Sequence, residues 1–294
     1  MIERRTAIIT GAASGIGLET ARRFAEDPKY SPIFVVDKDP SVNIVFQSSE
    51  NSNIVPLQMD LRDRDQITQM LKRAAESGRI DVIVNGAGVI SAGKPSTYYD
   101  KEGNLKPELK EMNELNVRVP ILVMVEAPGI MKRNGGGTII NITSSKHFFP
   151  DIYRWEYMEG KKTVSRVTRG VAKKWKQDYN VRLVDVQPGN TKTNIDRGVW
   201  TDGNTRSEME AVQGFNDWWR KTFGNDPKNV AEVIYKIAEG KINKTPVYVG
   251  FDAKLGYFLF LLPFLYRADL IFLAGSYSVY KIAELGRFLK KKNK

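Results

Sequence analysis

The chain has 294 residues, 41% of them hydrophobic and 27% charged, with a formal net charge of +11. That is the composition of a globular protein long enough to bury a substantial core, and it excludes disordered, collagen-like and disulfide-rich classes. Cysteine is absent and His147 is the one histidine, which excludes disulfides, thiolate metal sites and cysteine nucleophiles, and leaves any histidine-based site to a single residue.

The amino terminus runs almost at once into the apolar stretch "TAIIT", with no sequence of charged leader, apolar block and cleavage site before it, so no signal peptide is expected. Strand-like runs follow at "IFVVD", "IVPLQM", "DVIVN", "GTIINIT", "VRLVDV" and "PVYVG". They are nearly continuous in apolar residues, as strands buried on both faces of a parallel sheet are. Helical stretches lie between them, at Gly15–Glu26, Asp65–Ser77, Arg154–Gln177 and Asp226–Glu239. The alternation predicts an α/β fold: a doubly wound, mostly parallel sheet with helices on both faces, one domain over residues 1–250. Pro120 and Pro128 should kink or break any helix between Pro107 and Asn134. Residues 194–225, rich in Trp and charge, follow the sixth strand and are expected to form a lid over a site.

"TGAASGIGLE" comes directly after the first strand. Gly11, Gly15 and Gly17 allow a tight turn and the close approach of a pyrophosphate, and the helix that follows offers N–H donors and a favourable dipole. The same glycines could serve the turn alone. Asp37 ends the second strand, twenty residues beyond Gly17. A carboxylate there accepts hydrogen bonds from an adenosine ribose and repels a 2′-phosphate; with Lys38, Asp39 and Pro40 it is also good turn chemistry. Ser14 brings no positive charge, so NAD is expected over NADP, with Lys38 the residue that would meet a phosphate.

In "WEYMEGKK", Tyr157 and Lys161 are four residues apart, one turn along a helix face. A free tyrosine, with a pKa of about 10, is a poor base at neutral pH. A cation one turn away favours the phenolate, which fits the pair to take and return a proton.

These stretches, with "NGAG" (Asn85–Gly88), resemble the short-chain dehydrogenase/reductase family over roughly residues 5 to 250. The resemblance implies a Rossmann-like fold and an oxidoreductase that interconverts a secondary alcohol and a ketone with NAD(H). It implies that Gly11, Ser14, Gly15, Ile16 and Gly17 form the cofactor turn, and that Asp60 of "MDLRD", with Leu61, meets the adenine. Asn85, Ala87 and Gly88 would also touch the cofactor, as would Tyr157 and Lys161. Pro188, Gly189, Thr191 and Thr193 of "QPGNTKT" would hold the nicotinamide carboxamide. Asn116, Ser144, Tyr157 and Lys161 would be the catalytic set, Ser144 lying thirteen residues before Tyr157. In that set Ser144 hydrogen-bonds the substrate oxygen and Asn116 holds Lys161 through a water. Ser145 is an adjacent hydroxyl that the spacing disfavours, and His147 is expected to be a loop residue. Two departures stand out. Gly86 replaces an asparagine usual in the family, and Met158, Glu159 and Gly160 stand where it has small residues. Glu159 is expected to bring negative charge near Lys161, and Gly160 to weaken the helix by roughly 1 kcal/mol relative to alanine.

Phe148, Tyr153, Trp155 and Trp200, with Phe149, Trp218 and Trp219, suggest a bulky lipophilic substrate such as a sterol, prenol or fatty alcohol. Core or subunit contacts are the other use of such residues. From Leu255 to Lys294 there are seven Lys or Arg against Asp269 and Glu284, a net of +5. The basic excess therefore sits largely in a tail, and no nucleic-acid partner is expected. The uncharged run from Leu255 to Tyr266 is twelve residues, too short to span a bilayer. The apolar and basic extension, residues 251–294, is read either as an interfacial membrane anchor or as an oligomer contact in a homodimer or homotetramer. A cytoplasmic location, peripheral on the inner face of a membrane if the anchor reading holds, and no metal are expected. The alternatives are an NADPH-dependent carbonyl reductase, a cofactor-binding scaffold or sensor without turnover, and an adaptor that works mainly through its tail.

Overall fold

A computed structural model describes residues 4–46, 53–93, 95–148, 152–195, 214, 217–218 and 220–261. Phe149, Trp200, Trp219, most of the expected lid and residues 262–294 lie outside the described residues.

Seven strands form the sheet: β1 (Arg5–Thr10), β2 (Tyr30–Asp37), β3 (Ile54–Gln58), β4 (Val82–Asn85), β5 (Gly137–Ile142), β6 (Val181–Pro188) and β7 (Val247–Val249). All pair in parallel, in the order β3-β2-β1-β4-β5-β6-β7. The period of two along each strand explains the continuous apolar runs. In β1, Ala7 and Ile9 enter one core while Ile8 enters the other, on the opposite face. Helix α1 (Gly15–Ala25) and helix α6 (Pro227–Ala238) cover the first face through Ala21, Phe24, Val230 and Ile234. Helices α2 (Arg64–Glu76) and α4 (Val119–Lys132) cover the second through Ile67, Leu71, Val123 and Met124. Each of these side chains larger than that of Ala21 contributes roughly 1.5–3 kcal/mol on burial.

The chain builds outward from β1 to β3 and then returns to place β4 on the other side of β1. The connections after β1 and β4 consequently diverge, opening a crevice at the carboxyl ends of the strands, the place where doubly wound sheets bind ligands.

The stretch with two prolines is not one regular helix. Helix α3 (Pro107–Asn113) passes into a π-helical turn (Glu114–Arg118) before α4 begins. The expected break falls there, just ahead of Pro120, which sits in the first turn of α4 where its missing N–H costs nothing. Pro128 is accommodated inside α4. The interruption carries Asn116, buried against the site. Helix α5 (Trp155–Tyr179) ends at Asn180, whose left-handed φ of 53° stops it. The last helix, α7 (Phe251–Leu261), is tied to the domain at its first turn. Asp252 accepts a hydrogen bond from the Asn190 backbone N–H at 2.7 Å, Ala253 is fully buried, and Tyr257 stacks on Tyr248 at 4.4 Å.

Candidate active site

The turn after β1 is built around contacts that no side chain could share. Gly11 has φ +71°, and a Cβ there would lie 2.8 Å from the Ala87 backbone. A Cβ on Gly17 would lie 2.0 Å from the Gly11 carbonyl oxygen. The first turn of α1 is thus drawn against the strand end. Its N-cap, Ser14, makes no side-chain capping bond and no acid follows in that turn, which suits the helix start to an anionic ligand. Asp37 braces this turn: its Oδ2 accepts from the Ala13 N–H and its Oδ1 from the Asp39 N–H, each at 3.0 Å. Asp60 is gripped by Arg62, with Nη2 to Oδ2 at 2.6 Å, and this pairing holds its carboxyl below the usual range. Arg62 also reaches Glu111 at 2.8 Å.

A cavity of about 360 Å³ runs from this turn past Asp37, Asp60 and Leu61 to Ala87, Gly88, Ser144, Tyr157 and Lys161, and on to Pro188, Gly189, Thr191 and Thr193. Ser14, Gly15 and Ile16 line it as well. A dinucleotide fits this set. The glycines leave a cradle that a Cβ would fill, and the uncapped helix start and the Asp37 carboxylate lie along one cleft.

Tyr157 and Lys161 are both buried on α5. The Lys161 Nζ lies 5.9 Å from the centre of the Tyr157 ring and donates to the Ile142 carbonyl at 3.0 Å. Burial pushes the Lys161 ammonium down to about 8, and the Asp185 carboxylate acts in the opposite sense. Ser144 lines the cavity, its Oγ accepting from the Lys146 N–H at 3.1 Å. Ser145 instead donates to the Pro188 carbonyl at 3.1 Å and is buried.

The three residues between Tyr157 and Lys161 acquire distinct explanations. Met158 packs with Ile90, Leu109, Met112 and Tyr157 in a small core beside the site. Against the expectation that it brings negative charge near Lys161, Glu159 pairs with Lys162 at 3.0 Å on the partly exposed side of the helix. Gly160 lets α5 lie against the π turn, since a Cβ there would be 3.0 Å from the Val117 side chain. From that turn Asn116 clasps the backbone of Val89 in both directions: Nδ2 donates to its carbonyl at 2.7 Å and Oδ1 accepts from its N–H at 3.0 Å. A Cβ on Gly88 would stand 3.0 Å from Asn116 Oδ1 and 3.3 Å from Lys161 Nζ, so the three converge there. The Asn116 amide positions the Gly88–Val89 backbone.

Other expected site residues are placed elsewhere. Asn85 is buried and donates to Asn141 at 2.7 Å, and Asn141 donates to Thr168 at 2.8 Å; this links β4, β5 and α5 without lining the cavity. Phe148 packs near Tyr248 and Tyr257, at 5.7 and 6.2 Å. The Tyr153 carbonyl accepts from the Gly93 N–H at 2.8 Å, and Trp155 opens α5 with 48% of its surface exposed. None of these three lines the cavity among the described residues. Trp218 meets Phe223 edge-on at 5.9 Å. Sequence reasoning passed over Lys146, Arg154 and Arg220, which do line it. Arg154 is buried one turn ahead of Tyr157, and that helical spacing was the available signal. Arg220 pairs with Asp217 and donates to the Thr193 carbonyl at 3.3 Å.

The short chain dehydrogenase family model matches residues 5–204 of the chain. A 3alpha-hydroxysteroid dehydrogenase of Mediterraneibacter gnavus is 28% identical over 200 residues, which cover 66% of this chain and 77% of that one. A short-chain dehydrogenase from Streptomyces avermitilis has a similar solved structure, with TM-score 0.70 at 19% identity over 99% of this chain and 97% of that one. Another from Burkholderia cenocepacia, solved in complex with NADP, gives TM-score 0.66 at 20% identity over 92% and 98%.

Proposed function

Because this chain belongs to the short-chain dehydrogenase family, and is thereby an NAD(P)-dependent dehydrogenase, we propose that it interconverts a secondary alcohol and a ketone on a bulky lipophilic molecule, preferring NAD(H). The observation that carries this reading is the meeting of Ser144, Tyr157 and Lys161 with the glycine turn in one cavity. A bound nicotinamide would supply the hydride acceptor or donor. Lys161, as an ammonium, favours the Tyr157 phenolate, so that Tyr157 takes the proton from a substrate hydroxyl and returns it in reduction. Ser144 hydrogen-bonds the same oxygen and stabilises the charge that develops on it. Asn116 keeps Gly88 and Val89 in place beside Lys161. Gly11, Ser14, Gly15, Ile16 and Gly17 take the pyrophosphate, and Pro188, Gly189, Thr191 and Thr193 the nicotinamide end.

Asp37 supports the preference for NAD, since its carboxylate lines the cavity at the end of β2, where it would repel a 2′-phosphate. Turnover with NAD and NADP across sterols, prenols and simpler secondary alcohols tests the whole reading. NAD reduction by a lipophilic alcohol is expected, and Asp37→Asn should narrow the ratio of kcat/KM for NAD over NADP by about tenfold. An unchanged ratio, or a wild-type preference for NADP, would remove Asp37 from that role.

A lipophilic substrate has two supports. One is the likeness to a steroid dehydrogenase. The other is α7, which exposes Phe251, Leu255 and Phe258 along one helix face and leads into the basic tail. No helix among the described residues is long and apolar enough to cross a membrane. An interfacial contact with anionic lipid is the use proposed for this face. The full chain should sediment with phosphatidylserine vesicles and not with phosphatidylcholine alone, and Phe251→Asp with Phe258→Asp should weaken that binding at least fivefold, in line with the apolar area removed. If those changes instead dissociate a homo-oligomer and leave vesicle binding intact, the face is a subunit contact.

A further inference from the structure

Asp185 lies within β6 with no solvent exposure. Its carboxylate is enclosed by donors: the Thr143 hydroxyl, the Ser165 hydroxyl at 2.7 Å and the Gln187 amide at 2.6 Å. Gln187 also donates to the Ser165 hydroxyl at 3.0 Å. The nearest cation to its Oδ2 among the ion pairs of the described residues is Arg169, at 3.9 Å and 44% exposed. A carboxylate buried with only a distant, half-solvated ion-pair partner is costly, and a nearby ammonium offsets part of that cost. Ser165 is one helical turn beyond Lys161 on the same buried face of α5, and the β5–β6 register pairs Ile142, whose carbonyl takes the Lys161 ammonium, with Val186, the residue after Asp185.

We propose that Asp185 is a positioning residue that keeps Lys161 protonated in the working enzyme, through the field of its buried carboxylate. The inference rests on the reading of Tyr157 and Lys161 as the working pair. Burial alone drives Lys161 towards the neutral amine, and Asp185 is the group that opposes it. The other groups near this pair are Tyr157, one turn before Lys161, the Ile142 carbonyl on its Nζ, and Arg169 and Tyr248 near Asp185. Without the carboxylate, Lys161 loses its proton at lower pH, and the tyrosine loses the cation that favours its phenolate.

Trace acetylation with acetic anhydride across neutral to alkaline pH, read by mass spectrometry on the Lys161 peptide, follows the neutral amine directly and without turnover. A failure of the enzymatic reading is thereby kept apart from a failure of this one. In Asp185→Asn the labelling midpoint should fall by about one pH unit. In Arg169→Gln, a change at a half-exposed side chain, the midpoint should rise. A folded Asp185→Asn protein with an unmoved midpoint would overturn the proposal even if its stability or kcat fell. Should that variant fail to fold, an unmoved midpoint in Arg169→Gln would do so.

Discussion

Tyr157→Phe should lower turnover by about a thousandfold in either direction while leaving cofactor affinity within about twofold of wild type, the loss expected when a positioned proton donor is removed. The substitution deletes one hydroxyl and keeps the ring, which packs with Ile90, Leu109, Met112 and Met158. The fold and the glycine turn should therefore be undisturbed, and thermal melting should coincide with wild type within a few degrees. Steady-state kinetics beside a fluorescence titration of the reduced cofactor separates the two effects. Turnover within tenfold of wild type would mean that the proton moves through another group.

Gly17→Ala should have the second-largest effect, on binding. Its Cβ would fall 2.0 Å from the Gly11 carbonyl oxygen, and the neighbouring Ala12 nitrogen would be at 3.1 Å, so backbone must move. Overpacking of this kind costs about 1–3 kcal/mol, and here the displaced atoms are those that shape the phosphate cradle. Cofactor affinity should fall by about a hundredfold or more, with Tyr157 and Lys161 intact. Gly170→Ala on α5 is the matched control. Nothing lies within 4 Å of its Cβ, and a helix interior gains roughly 0.5–1 kcal/mol from alanine. Equal cofactor affinity in the two variants would contradict the cradle.

Much of this was legible because it is local. Strands buried on both faces announce themselves as continuous apolar runs, and the glycine turn and the Tyr157/Lys161 spacing are short-range patterns. Glu159 was legible too, had the helical phase been followed. Two residues from Tyr157 and two from Lys161, it points away from both, and it meets Lys162. Asn85 was not legible, because its partner Asn141 is set by the β4–β5 register, which pairs those two residues across the sheet. Asp185 offered a signal, one acid inside an apolar strand, but no hint that Ser165 and Thr143 would close around it. The substrate end was the least legible. Aromatic side chains such as Phe148 and Trp155 announce bulk, whereas the direction in which a loop aims them depends on what the loop packs against.

The bond from the Asn190 backbone to Asp252 has a practical consequence for editing the chain. Asp252 also fills the space beside Gly189, where a Cβ would meet its carboxylate. A truncation after Gly250 would thus remove a brace from the very segment proposed to hold the nicotinamide end, and lost activity would then say nothing about lipid. A cut after Leu261 spares that brace, so the two truncations side by side would separate what the tail does for location from what its first turn does for the site.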